Sequence, residues 1–132
     1  MFRQLKNPEK LSDCLTAYGR FMIRLGDSAR ATRLLDEAQP LLPAMPPHLV
    51  LARAELARAN GHPEEAVRLA DKVPPTPVGA RFEATLERAA ALRSLHDRDG
   101  EVAALAEAAE FAKSWQEPRL TSRLATARRG LR

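Results

Sequence analysis

Gly26-Asp27-Ser28-Ala29-Arg30-Ala31-Thr32-Arg33-Leu34-Leu35-Asp36 and Gly61-His62-Pro63-Glu64-Glu65-Ala66-Val67-Arg68-Leu69-Ala70-Asp71 lie 35 residues apart and share Gly, Ala, Arg, Leu and Asp, five identities in eleven positions. In each copy the glycine precedes a small helix residue, Ala31 or Ala66, by five, and a second small residue, Gly19 or Ala54, lies twelve before it. Two helices of a hairpin approach closely only where side chains are small, so Gly19 is expected to meet Ala31 and Ala54 to meet Ala66. A self-similar period of this length marks a supersecondary unit that buries its apolar face against the next copy.

Outward from these stretches, Gly and Pro punctuate the chain, and the periodic apolar runs between them are long enough for seven helices. Asn7 caps the first, with Pro8 at its opening position, and Leu11, Leu15, Tyr18, Met22 and Leu25 form one stripe up to Gly26. A second helix is predicted over 28–38, carrying Ala31, Leu34, Leu35 and Ala38 before Pro40 and Pro43, and a third from Pro47 to Ala59. The fourth opens at Pro63 and carries Ala66, Leu69, Ala70 and Val73 up to a Pro-rich break; the fifth, about 80–95, carries Phe82, Leu86, Ala89 and Leu92. After the turn at 96–100 a sixth, about 101–113, has Val102, Leu105, Ala106, Ala109 and Ala112 as its inward set. The seventh opens at Pro118 with Leu120, Leu124, Ala127 and Leu131. Short loops make consecutive helices antiparallel hairpins. The third copy leaves two phases open: a shift of 36 aligns Leu69, Ala70 and Asp71 with Leu105, Ala106 and Glu107, and one of 37 aligns Glu64 and Ala66 with Glu101 and Ala103, as if its turn were longer.

Composition agrees with an all-α fold. The 132 residues include 24 Ala, 19 Leu and 17 Arg, against 5 Val, 1 Ile and 6 aromatics, which argues against sheet architectures and suits one domain spanning 1–132. The single cysteine, Cys14, is expected to be a small half-buried thiol; with no disulfide to form, the cytoplasm is the expected compartment. No stretch approaches the roughly 18 apolar residues of a membrane span. The net charge of +4 is unevenly placed: residues 1–35 carry +4, residues 36–117 carry −5 and residues 118–132 carry +5. An acidic middle between basic ends argues against a continuous nucleic-acid surface and suits acidic partners or self-association.

Tyr18-Gly19, Gly26, Ala31, Leu35, Ala38 and Pro43 stand at a spacing that resembles the tetratricopeptide (TPR) repeat family. The resemblance implies a right-handed α-solenoid of about three antiparallel hairpins, near 8–43, 47–78 and 80–113, with a C-terminal capping helix near 118–131. Phe2-Arg3-Gln4-Leu5-Lys6-Asn7-Pro8, followed by Gly26-Asp27-Ser28-Ala29-Arg30-Ala31, also resembles the TPR arms of bacterial signal-transduction and transcriptional regulators. It implies a scaffold that binds a peptide or partner helix on the face made by the first helix of each hairpin. The matching positions are Asp13, Thr16, Arg20 and Ile23, then His48, Leu51, Glu55 and Arg58, with Arg93 in the third repeat. Arginines there would grip acidic side chains through bidentate hydrogen bonds. The family's Lys and Asn carboxylate-clamp pattern is not visible.

The residues themselves point away from catalysis and cofactors. The six glycines form no phosphate loop, and His48, His62 and His96 each stand beside a helix end without a second His or Cys at ligand spacing. Asp97, Asp99, Gly100 and Val102 echo the middle of a calcium loop, but Leu95 and Ala106 occupy the places of its first and last carboxylates. Trp115 and the last helix are expected to cover the open end of the stack. Two other readings remain: a nucleic-acid-associated protein using its basic ends, and a small secretion chaperone, which requires an apolar groove.

Overall fold

The computed structural model describes residues 7–74, 78–115 and 118–129, with side chains over 7–74, 79–113 and 123–129. The described residues are all-helical: α1 (Pro8–Arg24), α2 (Ser28–Ala38), α3 (Pro47–Ala59), α4 (Pro63–Asp71), α5 (Val78–Ser94), α6 (Arg98–Trp115) and α7 (Pro118–Arg129), with a single 3-10 turn at Gln39–Leu41. The helix ends follow local chemistry. Asn7 Oδ1 accepts from the Lys10 amide at 3.1 Å, and Asp27 Oδ1 accepts from the Arg30 amide at 3.1 Å. Prolines 8, 47 and 63 open their helices, where no amide proton is needed.

The three hairpins α1–α2, α3–α4 and α5–α6 share one turn. In the first, the Gly26 amide donates to the Ile23 carbonyl and the Asp27 amide to the Met22 carbonyl. The Gly61 and His62 amides repeat this on Arg58 and Ala57, and the His96 and Asp97 amides on Arg93 and Leu92. This is the Schellman arrangement, which closes a helix through one left-handed residue. That residue is Gly26 (φ 82), Gly61 (φ 81) and then His96 (φ 60). The third copy therefore keeps the 35-residue spacing, and neither longer shift describes it. Its turn is not extended: Asp97 caps α6, its Oδ1 accepting from the Gly100 amide at 2.9 Å, so the helix begins at Arg98 rather than near 101.

Packing proceeds in sequence order. Met22, Ala31, Leu35, Ala38, Leu49, Ala52 and Leu56 join α1, α2 and α3 in one cluster. Leu51, Ala54, Ala70, Val73, Ala80 and Ala84 join α3, α4 and α5, and Phe82, Leu92, Leu105, Ala108 and Leu124 join α5, α6 and α7. Gly19 is buried, and a methyl group there would lie 2.9 Å from Leu35 Cδ2 and 3.7 Å from the Ala31 carbonyl. The expected close approach is real at Gly19, with Leu35 as its nearest limit. At the equivalent position Ala54 packs in the cluster of Ala70, the 35-residue counterpart of Leu35.

Three expectations about facing are corrected. The buried side of α1 is Ser12, Thr16, Gly19 and Met22; Tyr18 (47% exposed) and Leu25 (63%) point outward. Cys14 is exposed, not half-buried. On α6 the inward set is Glu101, Ala104, Leu105, Ala108 and Ala112, while Val102 and Ala106 face out, because the 35-residue register places Glu101 where Ala31 and Ala66 stand. The expected roles of Trp115, Leu120 and Leu131 lie outside the described side chains.

A non-glycine residue in the left-handed region costs on the order of 1 kcal/mol, so His96→Gly is expected to stabilise the chain by roughly 0.5–1 kcal/mol and Gly61→Ala to destabilise it by about 1 kcal/mol. Urea denaturation checks both; a destabilised His96→Gly variant would contradict the shared turn.

Candidate binding face

Helix α3 packs against α1, α5 against α3 and α7 against α5, and the surface they share is bridged by ion pairs. Arg20 of α1 donates through Nε to Glu55 Oε1 of α3 at 2.5 Å and through Nη2 to Glu55 Oε2 at 3.3 Å. Its Nη2 also lies 3.5 Å from Glu83 Oε2 of α5. Glu83 accepts in turn from Arg123 Nη1 of α7 at 2.6 Å, and the Arg123 guanidinium sits 5.8 Å from the centre of the Phe82 ring. Arg58 of α3 donates through Nε and Nη2 to the carboxylate of Glu87, a buried residue of α5. Three arginines and three glutamates thus tie four helices, and their formal charges cancel.

Burial decides how this network titrates. Glu55 is held above its ordinary value because desolvation outweighs the hydrogen bond and charge of Arg20, and Glu87 and Glu83 add repulsion. For Arg20 burial pulls the other way, but the hydrogen bond it donates to Glu55 and the charges of Glu55 and Glu83 together hold it above its ordinary value. The asymmetry is geometric: Arg20 reaches two carboxylates, whereas Glu55 is hydrogen-bonded by one guanidinium and has two acidic neighbours. Arg58 is raised chiefly by its hydrogen bond to Glu87.

The structure separates the nine residues named from the sequence. Asp13, Thr16, Arg20 and His48, with Ala17, line a cavity of about 310 Å3 between α1 and the start of α3. Thr16 is 3% exposed, and its buried Oγ1 has no hydrogen-bond partner among the described residues. Glu55 and Arg58 are committed to the ion pairs above. Ile23 is half-buried against the first cluster, and Leu51, 1% exposed, belongs to the core between α3, α4 and α5 and so presents no groove surface. Arg93 lies exposed in the last turn of α5.

Sequence reasoning missed Glu83, Glu87 and Arg123. The 35-residue register held the signal for two of them, since Glu83 follows Asp13 and His48, and Glu87 follows Ala17 and Ala52, at that spacing. Of the arginines expected to grip an acidic partner, Arg20 and Arg58 are already paired with carboxylates of the chain itself, while Arg93 is exposed. A chaperone's apolar groove does not match a face carrying this ladder.

Among the described residues no group of three or more His, Cys, Asp or Glu could hold a metal ion, and no helix is long and apolar enough to cross a membrane.

A glutamate whose folded pKa is raised adds stability that is fully present below its unfolded value and is lost as pH rises through the folded one. The stability of the wild-type chain relative to Glu55→Gln is therefore expected to fall as pH rises through the window just above 4.5, as urea midpoints across that range can check. A wild-type advantage that grows over the window would show that Arg20, not burial, dominates. No protein-family model, curated protein or solved structure matches the chain.

Proposed function

We propose that this chain is a non-enzymatic interaction module: a TPR-like, right-handed stack of three hairpins and a capping helix that binds a peptide or partner helix, within bacterial signalling or transcriptional regulation. The supporting observation is the cavity between α1 and α3, which collects four of the nine positions that the family resemblance implies. Its lining offers the Asp13 carboxylate, the His48 ring and the Arg20 guanidinium above the buried Thr16. Such a cleft suits a polar side chain of a bound segment rather than an apolar one, because its charged and polar lining groups would otherwise lose water on binding without gaining a partner. Arg20 enters as a fixed wall, since its charge is already shared by Glu55 and Glu83.

A second reading keeps nucleic acid as the partner, favoured by Arg128 and Arg129, exposed in the last turn of α7. Counterion release gives it a signature: affinity for duplex DNA or RNA that falls steeply between low and moderate salt.

Selection of peptides from a displayed random library tests the first reading. Peptides that bind the chain are expected to lose tenfold or more in affinity to Asp13→Lys and to His48→Glu, both exposed positions, and to keep it against Arg33→Glu on the outer side of α2. Peptides indifferent to both cavity variants, or no selection at all, would refute it.

A further inference from the structure

Helix α1 has a second apolar side. Leu11, Cys14, Tyr18, Phe21 and Leu25 recur at alternating spacings of three and four, the pattern of a helix-packing seam. Cys14 is exposed, as are Tyr18, Phe21 (52%) and Leu25, and Leu11 is half-buried. Single exposed apolar residues are ordinary, whereas a continuous stripe along a helix marks a contact surface. It lies away from the buried side of α1 and is distinct from the cavity of Asp13, Thr16 and Arg20.

The 35-residue register shows what such a stripe receives. Cys14 corresponds to Leu49 of α3 and Ala84 of α5; Phe21 corresponds to Leu56 and Ala91. Leu49 and Leu56 are buried with Ala31, Leu35 and Ala38 of α2. Ala84 is buried with Ala70 and Val73, and Ala91 with Ala66, all from α4 or its end. Tyr18 corresponds to Arg53 and Arg88, which pair with Asp36 at 2.7 Å and Asp71 at 3.4 Å on those same second helices. On α3 and α5 this face is therefore where the second helix of the preceding hairpin docks, and on α1 the same face is exposed.

We propose that the outward stripe of α1 is a docking surface for one amphipathic helix of a partner protein, bearing a small Ala- and Leu-rich stripe like that of α2 or α4 and acidic flanks. The flanking charge follows from Lys10 and Arg24, which are exposed, border the stripe, and lie within the basic first 35 residues. The same cations disfavour a second copy as the occupant. An antiparallel pairing of two α1 stripes brings Lys10 of one toward Arg24 of the other, and a parallel pairing sets like residues side by side.

The chain supplies its own probe. Two labelled peptides covering residues 27–41, each held helical by a lactam bridge between exposed positions, present the α2 stripe; one also carries Arg30→Glu and Arg33→Glu. Fluorescence anisotropy at low salt is expected to show the acidic peptide binding the full chain at least tenfold more tightly than the other. Maleimide alkylation of Cys14, the one cysteine, should slow severalfold when that peptide is bound. Tyr18→Glu and Phe21→Glu, substitutions at exposed sites that should keep the helical circular dichroism spectrum, are each expected to cost tenfold or more in affinity, while Glu64→Gln, exposed on α4, leaves it unchanged. No binding of either peptide at about 1 mM, binding indifferent to both stripe variants, or a concentration-dependent dimer abolished by Phe21→Glu would overturn the proposal.

Discussion

The geometry of the molecule depends on a single backbone residue held in the left-handed region at the end of the first helix of each hairpin. That residue turns the amide of its successor back onto a carbonyl five positions earlier, so the next helix starts after a turn of fixed length and direction. Once the turn is fixed, the opposing small residues follow. Gly19 lies under Leu35 and Ala31 because the two helices leave the turn at a close approach, and the same relation carries Ala54 toward Ala70. Steric limits at these positions then set how far each hairpin opens, and with it the surface offered to the next one.

Charge is organised by the same register. The chain is basic overall, yet many of its arginines are joined to carboxylates of neighbouring helices. On the outer side Arg53 and Arg88, 35 residues apart, hold Asp36 and Asp71, themselves 35 residues apart. On the face shared by α1, α3, α5 and α7 the pairs reach across hairpins, with Arg20 touching both α3 and α5. Burial raises what such a network contributes to orientation while limiting its net stabilisation, because each charge must also be desolvated. Its role is to fix how successive hairpins sit, and it leaves open the cavity beside Thr16.

Much of the helical architecture was legible because helix ends are local events. Asn7-Pro8, Gly26-Asp27, Gly61 and Pro63 act through their own backbone and side-chain chemistry, so their reading needed no tertiary information. His96 escaped because histidine is rarely asked to take the turn conformation, and two coincidental alignments of Ala, Leu and acidic residues masked the true register. Tyr18 and Leu25 were misplaced for a related reason: α1 has apolar residues on two sides, and periodicity alone does not say which side meets α2 and α3. Glu83 and Glu87 became meaningful only when α5 was placed beside α1 and α3. The cavity residues were reached through the spacing of a family resemblance, which names positions on one face but not which side chains there are already paired or buried.

The most direct test of the shared 35-residue unit is amide hydrogen exchange by NMR at the third turn. The His96 and Asp97 amides are expected to be protected to about the same degree as the pairs Gly26 and Asp27 and Gly61 and His62, each locked to its carbonyl. Exchange of His96 and Asp97 at the rate of an open loop, with the other two pairs protected, would contradict it.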